Sequence, residues 1–223
     1  MSVETLKIID KDAFRQPLIE YTKKAFNQLH PINTPKILDI GCGTGLPTLE
    51  LARMSGGKVI GVDIDQNSLD ILEEKIEKMG LKKQVETSNC SLFDLPFPDK
   101  SFDIIWSEGS IFIIGFKRGL KEWKPLLKDQ GFLVVHDQYQ DHAKKLETIR
   151  KCGYKLLNSF LIKHQTWKLN FYLPFENHLK KLKEKYKNNS EIQQAIKKEI
   201  DEISAFEEDV ESLSSIFYLM QKL

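Results

Sequence analysis

The sequence has no long apolar run and no excess of either charge. Its 223 residues include 33 lysines and arginines against 32 aspartates and glutamates, which gives a formal net charge of +1 at pH 7. A nearly neutral chain has no global field that would attract nucleic acid or an anionic membrane surface. No apolar stretch reaches the roughly 20 residues that a bilayer-spanning helix needs. Composition therefore favours neither a nucleic-acid-binding protein nor an integral membrane protein.

Cysteine is also scarce, with three residues at positions 42, 90 and 152. An odd number without the close spacing of zinc ligands predicts neither a disulfide framework nor a metal site. Reduced cysteines are typical of the cytosol. Residues 1–12 have a mixed polar composition, unlike a signal peptide. We therefore expect a cytoplasmic protein without a bound metal.

The sequence does contain a glycine-rich turn between a strand and a helix. The apolar run Ile37–Ile40 predicts a buried strand, and Gly41, Gly43 and Gly45 follow at alternate positions. Pro47 falls in the first turn of the helix, where its missing N–H costs nothing. Glycine permits positive φ and leaves space for a ligand against the backbone. The free N–H groups at the helix start point into that space.

A second predicted strand, Lys58–Asp65, supplies an acidic residue at the matching distance. Asp63 follows the glycines by about 20 residues, the spacing at which a carboxylate meets the ribose of a nucleotide in a βαβ unit. A tight turn without any ligand is the alternative, and the matching acid disfavours it. The combination predicts a site for a nucleoside.

The pattern Asp-x-Gly-x-Gly-x-Gly, which starts at Asp39, resembles the first motif of the class I S-adenosylmethionine-dependent methyltransferases of the small-molecule, UbiE-like type. The segment 95–103 is similar to the one that precedes the fourth strand in this family. The resemblance covers about residues 35–136. It implies an α/β, Rossmann-like fold. The sheet that the resemblance implies is seven-stranded and mostly parallel, with the order 3-2-1-4-5-7-6, an antiparallel last strand and flanking helices.

The expected organisation is a single methyltransferase domain over residues 1–223. It comprises an N-terminal helical segment (1–34), a cofactor-binding core (35–168), a C-terminal helical insertion (175–214) and the last strand (215–223). Residues 12–30 predict one helix, which either lies over the cofactor or covers one face of the sheet. Tyr154–Lys168 predicts the sixth strand, and residues 170–174 an irregular aromatic segment.

Periodic apolar residues predict a long amphipathic helix in the insertion. They recur every three or four positions: Ile192, Ile196, Ile200, Ile203, Phe206, Val210 and Leu213. We expect the insertion to form a wall or lid of the acceptor site, or a dimer contact.

The resemblance also implies which residues bind the cofactor. They are Asp39, Gly41, Cys42, Gly43, Gly45, Asp63, Ile64, Ser91, Leu92 and Ser107. Asp63 is expected to bind both ribose hydroxyls, and Ile64 to pack on the adenine. Ser91 stands where the family has an acid for the adenine amine, with Asp94 as a rival for that role. Ser107 is expected to line the methionine arm.

Glu108 and His136 are the catalytic candidates, because both follow predicted parallel strands at the ends where ligands bind. Methyl transfer from a sulfonium chiefly requires alignment of the reacting atoms. A thiolate or amine acceptor needs no base, whereas a phenol or alcohol benefits from one. A turn residue and a hydrogen-bonded strand-end histidine are the structural alternatives. His164, Trp167 and Tyr172 either line the acceptor pocket or belong to the core.

We therefore expect an enzyme that transfers a methyl group from S-adenosylmethionine to a small-molecule acceptor and forms S-adenosylhomocysteine. A DNA substrate is disfavoured, because the Asn/Asp-Pro-Pro-Tyr/Phe motif of amino-group nucleic-acid methyltransferases is missing after strand four. We expect no membrane partner, and a homodimer is left open. One alternative is methylation of protein or RNA, for which the basic run 180–187 is the support. Another is an inactive S-adenosylmethionine-binding protein, because Ser91 replaces an acid. The glycine spacing disfavours an NAD-dependent reductase.

Overall fold

A seven-stranded sheet forms the centre of the protein. The structure is a computed structural model that describes residues 1–204 and 214–223 in full, and the backbone alone of residues 205–207. The strands are β1 (Lys36–Ile40), β2 (Lys58–Asp63), β3 (Val85–Asn89), β4 (Phe102–Glu108), β5 (Leu127–Gln138), β6 (Tyr154–Ile162) and β7 (Ser215–Lys222). Their order is β3-β2-β1-β4-β5-β7-β6. Strands β1 to β5 pair in parallel, and β7 runs antiparallel to both β5 and β6. The predicted fold class and strand order are confirmed.

Helices flank this sheet on both faces. They are α1 (Val3–Ile9), α2 (Lys11–Arg15), α3 (Ile19–Asn27), α4 (Leu46–Ser55), α5 (Gln66–Lys78), α6 (Ile111–Ile114), α7 (Phe116–Glu122), α8 (His142–Lys151), α9 (His164–Trp167), α10 (Leu173–Lys185) and α11 (Ser190–Glu207). Short 3₁₀ helices cover Gln16–Leu18 and Lys124–Leu126, and a π-helical segment covers Lys168–Tyr172. No helix in the described ranges combines the length and the apolar character needed to cross a bilayer.

Alternating side chains of the strands build two apolar cores, one on each face of the sheet. On β4, Ile104 and Trp106 pack in the core beneath α3, α4 and α5. Ile105 between them packs in the other core, with Trp123 and residues of α7 and α8. Successive residues of a strand point to opposite faces. Each strand of a parallel sheet that is covered on both sides therefore has a continuous apolar sequence.

A third apolar cluster joins the N-terminal segment to the helices that precede β7. It unites Ile9 and Leu18 of the N-terminal segment with Phe175 of α10 and Ile196 of α11. Residues 1–18 and 164–207 are referred to below as the cap. The predicted helical insertion thus packs against the N-terminal segment.

The prediction of one continuous helix over residues 12–30 is wrong. The segment is split into α2, the 3₁₀ helix Gln16–Leu18 and α3, and α1 precedes it. Pro17 lies at the start of the 3₁₀ helix, where its missing N–H removes the hydrogen bond that a continuous α-helix would need. The helix α1 ends at Asp10, which has a left-handed conformation with φ of 45°.

The predicted sixth strand, Tyr154–Lys168, is too long. It ends at Ile162, and the chain is helical from His164 through the aromatic segment 170–174 that was expected to be irregular. Trp167, Phe171 and Phe175 recur every four residues and pack together in the cap, which is the period of a helix and not of a strand. Of the periodic residues of the insertion, Phe206, Val210 and Leu213 lie outside the side chains that the structure describes. The domain boundaries stay a prediction.

Candidate active site

The glycine turn between β1 and α4 has three glycines with positive φ, but their surroundings differ. A Cβ on Gly41 would lie 2.4 Å from the Cβ of Ser110, and one on Gly45 would lie 2.1 Å from Cδ1 of Leu72. Packing therefore requires glycine at both positions. Gly43 has a φ of 52°, and a Cβ there would meet nothing within 4 Å. The middle of the turn thus faces open space next to the backbone.

The carboxylate of Asp63 lies against this turn. Its Oδ2 accepts a hydrogen bond of 2.8 Å from the backbone N–H of Gly43, and its Oδ1 accepts one of 2.9 Å from the N–H of Asp65. Each carboxylate oxygen can accept a second hydrogen bond. The structure therefore brings Asp63 and the glycine turn together, with acceptor sites left for ligand hydroxyl groups.

The end of β3 approaches the same place from the other side. The backbone N–H of Cys90 donates to the carbonyl of Asp63 at 3.2 Å, and Nδ2 of Asn89 donates to the carbonyl of Ile64 at 3.0 Å. The Ile64 side chain is 73% exposed. An exposed β-branched side chain beside a glycine turn offers an apolar face for a flat ring.

Ser91 and Leu92 form the next part of this edge and are half-buried. Ser91 Oγ accepts a hydrogen bond of 3.2 Å from the N–H of Phe93, and the carbonyl of Leu92 accepts one of 3.2 Å from Nε1 of Trp123. Asp94 is exposed, and its N–H donates to the carbonyl of Ser91. Asp94 therefore closes a turn that begins at Ser91.

A small cavity of about 100 Å³ lies between the glycine turn and the cap. It is referred to below as the first cavity. Its polar lining includes Asp39, Gly43, Glu108, His136 and Arg15.

The N-terminal segment roofs the first cavity. Asp12 accepts hydrogen bonds of 2.6 Å from Oγ1 of Thr44 and 2.5 Å from Nζ of Lys75. The helix α3 continues this wall with Ile19 and Thr22, and its Ala25 packs on the sheet face. The leading segment therefore covers both the cavity and a face of the sheet, and its position over a cofactor stays a prediction.

Asp39 is a buried carboxyl in the wall of the first cavity. Its Oδ2 accepts a hydrogen bond of 2.6 Å from Oγ1 of Thr48. Burial raises the pKa of Asp39 to about 7, and the nearby charges of Glu108 and Asp63 raise it further against the lowering effect of Thr48. The group can therefore hold or release a proton near neutral pH.

Glu108 lines the first cavity at the end of β4. Its Oε1 accepts hydrogen bonds of 2.8 Å from Oγ1 of Thr22 and 2.7 Å from Nε1 of Trp106. Among the described residues, no hydrogen bond reaches Oε2. Burial raises the pKa of Glu108, and these two hydrogen bonds oppose the rise. A carboxyl fixed through one oxygen can use the other to accept a proton or to face a cation.

His136 is held in a rigid stack at the end of β5. Its ring lies between Trp167, at a centroid distance of 5.7 Å, and Phe217, at 4.4 Å. Its Nε2 is 2.7 Å from Oγ of Ser215, which also accepts a hydrogen bond from Nε1 of Trp167. Burial lowers the pKa of His136 to about 3, and the charge of Arg15 lowers it further. The imidazole is therefore neutral at pH 7 and a weak general base.

Two predicted cofactor residues lie inside the protein. Ser107 is fully buried, and its Oγ is 2.7 Å from Oγ of Ser110, which donates to the carbonyl of Ile40. Ser107 thus bonds within the packing between β4 and α6 and does not line the first cavity. Cys42 is buried in the turn and lines the cavity with part of its surface, and burial raises the pKa of its thiol. A neutral thiol in this position is a packing residue.

A second, larger cavity of about 600 Å³ lies under the cap. Its aromatic lining is formed by Phe112, Trp167, Phe171, Tyr172 and Phe175. Of the residues expected in an acceptor wall, Trp167 and Tyr172 line this cavity, and His164 lies outside its lining.

Three residues, Arg15, His136 and Trp167, line both cavities. Sequence reasoning did not place Thr22 or Ser215 at the site, and neither lies in a motif that would have indicated it. The four-residue spacing of Trp167, Phe171 and Phe175 was the signal that could have revealed the aromatic wall.

Residues 37–131 match the sequence model of a family described as "Methyltransferase domain". The match begins in β1, includes the glycine turn and Asp63, and ends within β5. This part of the chain, less than half of its length, is therefore similar to a methyltransferase domain. The geometry at Gly43 and Asp63 therefore belongs to the matched part of the chain, whereas the cap lies outside it.

A curated relative and two solved structures are also similar to the chain. Methyltransferase GfsG of Streptomyces halstedii is 31% identical over 117 residues, which cover 52% of this chain and 42% of the relative. The chain spans about half or less of the length of the curated relatives that it matches.

The solved structures share the fold at low sequence identity. A methyltransferase from Geobacter sulfurreducens in complex with S-adenosyl-L-homocysteine is 14% identical, with a TM-score of 0.76 over 92% of this chain and 91% of that one. The cyclase SpnF is 21% identical, with a TM-score of 0.78 over 91% and 80%. The two proteins carry different activities by name, so the site and not the fold must decide the chemistry.

Proposed function

We propose that this protein is an enzyme that transfers a methyl group from S-adenosylmethionine to a small-molecule acceptor and releases S-adenosylhomocysteine. The observation that carries the proposal is the open backbone at Gly43 beside the carboxylate of Asp63, inside a methyltransferase domain. Gly41 and Gly45 are closely packed, whereas Gly43 between them faces open space beside an acceptor group.

The residues of the site fit a nucleoside linked to an amino acid. Asp63 would bind the two ribose hydroxyls with its remaining acceptor sites, and Ile64 would pack on the adenine. Ser91 and the backbone of Leu92 would meet the adenine edge. The turn from Gly41 to Gly45 would hold the amino-acid portion. Cys42 would close the floor beneath it, and Ser107 would support this region from inside the fold.

The carboxyl groups of the first cavity suit a cationic ligand. S-adenosylmethionine, when bound, supplies an electrophilic methyl group on a positively charged sulfur. Asp39 and Glu108 line the cavity with raised pKa values, and a nearby positive charge favours their ionised forms. Their ionisation would stabilise the cationic cofactor more than its neutral product.

In this proposal the first cavity holds the methyl donor and the second cavity holds the methyl acceptor. The second cavity has the volume of a small-molecule pocket, and it meets the first at Arg15, His136 and Trp167. His136 would orient the acceptor through its fixed ring. Glu108 would accept a proton from an acceptor that has to lose one, because its Oε2 is available.

Further parts of the proposal concern location and partners. We propose a cytoplasmic enzyme that does not act on DNA, and a homodimer stays open. An S-adenosylmethionine-binding protein without transferase activity is the competing function, because Ser91 carries no charge for the adenine amine.

Isothermal calorimetry on the parent and on Asp63→Ala tests the cofactor site. We expect S-adenosylhomocysteine to bind the parent and its affinity for Asp63→Ala to fall by about tenfold or more, because two charge-assisted hydrogen bonds are lost. Asp99→Ala is the matched control, since Asp99 is exposed and lies outside both cavities. Equal affinities for Asp63→Ala and the parent would contradict the site.

Transfer is tested separately with methyl-labelled S-adenosylmethionine and a panel of small acids, phenols and amines. The proposal expects label in at least one acceptor. Tight cofactor binding with no transfer to any member of the panel would support the non-catalytic binding protein.

A further inference from the structure

Arg15 lies where the two cavities meet. It is the last residue of α2, its side chain is exposed, and it lines both the first and the second cavity. Its guanidinium carbon is 6.0 Å from the centre of the Phe171 ring. A cation in this position faces the space where a donor and an acceptor would come together.

The other charges of the second cavity are already paired. Lys11 binds Glu199 at 2.6 Å and Glu202 at 3.0 Å, and Asp137 binds Lys145 at 2.6 Å. Arg15 forms no ion pair or hydrogen bond with another side chain that the structure describes, and at longer range its charge lowers the pKa of Glu108 in the first cavity. A guanidinium presents several N–H groups in one plane, and a carboxylate is the group that matches them.

The wall next to Arg15 is aromatic. Phe171 and Phe175 stack at a centroid distance of 5.3 Å, and Trp167 contacts Phe171 edge-on at 6.0 Å. Phe171 and Phe175 are themselves buried and support this wall, and its accessible aromatic surface belongs to Phe112, Trp167 and Tyr172. Accessible aromatic faces and edges bind another flat ring well. A cavity of about 600 Å³ accommodates a bicyclic ring with a short substituent.

We propose that the acceptor is an aromatic carboxylate, bound in the second cavity with its carboxylate on Arg15 and its ring against the aromatic wall. This inference rests on the proposed function, because it names the substrate class of the same site. Arg15 is a specificity-determining residue in this arrangement. The aromatic wall supplies affinity that does not depend on charge.

The carboxylate could also come from the amino-acid portion of the cofactor, since Arg15 lines the first cavity as well. Two probes separate the sources. S-adenosylhomocysteine carries that carboxylate, and 5′-methylthioadenosine lacks it. If Arg15 serves the acceptor, Arg15→Gln leaves the affinities for both nucleosides unchanged.

The test is calorimetry with 2-naphthoate and its neutral analogue 2-naphthamide on protein saturated with S-adenosylhomocysteine. We expect the parent to prefer the carboxylate, and Arg15→Gln to weaken 2-naphthoate by about tenfold or more while leaving the amide unchanged. Arg53→Gln is the matched control, because Arg53 is an exposed arginine outside both cavities. Phe112→Ala, at an exposed position of the cavity lining, should weaken both probes by the same factor.

Two outcomes would overturn the proposal. One is an unchanged preference for 2-naphthoate in Arg15→Gln. The other is a loss of S-adenosylhomocysteine affinity in Arg15→Gln without a loss for 5′-methylthioadenosine, which would assign Arg15 to the cofactor. A parent that binds no S-adenosylhomocysteine would instead reject the proposed function, and the naphthoate titration can still be read on the protein alone.

Discussion

Gly43 and Gly56 are two glycines with nearly the same backbone and different neighbours. Gly43 has a φ of 52° and Gly56 a φ of 62°, and a Cβ on either would meet nothing within 4 Å. Gly56 ends α4, where its N–H donates to the carbonyl of Ala52. Gly43 instead lies beside Asp63 and the first cavity. An alanine at either position has the same backbone cost, but only an alanine at Gly43 would also reach a bound ligand.

We predict that Gly43→Ala abolishes S-adenosylhomocysteine binding, because the added methyl group occupies the space of the ligand. Gly56→Ala should bind as the parent does. Both variants should lose about 1–2 kcal/mol of unfolding free energy, the cost of the left-handed conformation for a residue with a Cβ. Calorimetry measures the binding and urea denaturation the stability. Normal binding by Gly43→Ala would contradict a ligand at this turn.

Asp39 makes stability depend on pH. Its pKa is about 7 in the fold and 3.8 in the reference state, so its burial favours the neutral form. The stability that neutral Asp39 contributes to the free energy of unfolding is fully present below pH 3.8 and is lost as the pH rises through 7. Asp39→Asn keeps an oxygen for Thr48 and never ionises.

We predict that Asp39→Asn is more stable than the parent above pH 7, by about 2–4 kcal/mol, and nearly equal to it close to pH 4. Urea denaturation at pH 4, 6 and 8 checks the trend. A difference that does not change with pH would show that Asp39 keeps an ordinary pKa.

At the scale of elements, an ion pair links α2 to α11 across the cap. Lys11 Nζ lies 2.6 Å from Glu199, whose side chain is 6% exposed, and 3.0 Å from Glu202, whose side chain is 45% exposed. Removing one member of a buried pair leaves a charge without a partner, whereas an exposed pair contributes little. The two glutamates therefore differ in what they add to the packing of the cap.

We predict that Lys11→Gln lowers the free energy of unfolding by about 1–3 kcal/mol, less than for a fully buried pair because Lys11 is partly exposed. Glu202→Gln should cost less than about 0.5 kcal/mol. The double variant Lys11→Gln with Glu199→Gln should be more stable than Lys11→Gln alone, since no buried charge is left. Denaturant unfolding of the parent, of the single variants Lys11→Gln, Glu199→Gln and Glu202→Gln, and of the double variant measures this. Strictly additive effects of Lys11→Gln and Glu199→Gln would contradict the coupling.

On the scale of the whole molecule, the cap has its own apolar cluster, distinct from the two cores of the sheet. Phe175 is fully buried within that cluster. Regions with separate cores can open separately. A cap that opens on its own would also admit ligands to the cavities beneath it.

We predict that Phe175→Ala, which removes a large buried side chain worth about 3–5 kcal/mol, speeds hydrogen exchange in α1 and α10 together and leaves β1, β4 and β5 protected. Mass spectrometry of exchanged peptides measures this. Leu169→Ala, at a position 56% exposed in the same helical run, is the control and should change neither region. Equal loss of protection in the sheet would show that cap and sheet unfold as one unit.

The sequence by itself determined the buried strands and the glycine turn with Asp63, whereas the strand order was implied only by the resemblance to class I methyltransferases. The strands and the turn depend on local patterns: apolar runs, glycine spacing and the distance along the chain from turn to acid. The tertiary structure alone decided that Arg15, His136 and Trp167 meet between two cavities, that Ser107 points inside, and that the aromatic segment after β6 is helical. These arrangements depend on how residues 1–18 pack against residues 164–207 to form the cap. Contacts between residues far apart in the chain leave no periodic signal in either segment.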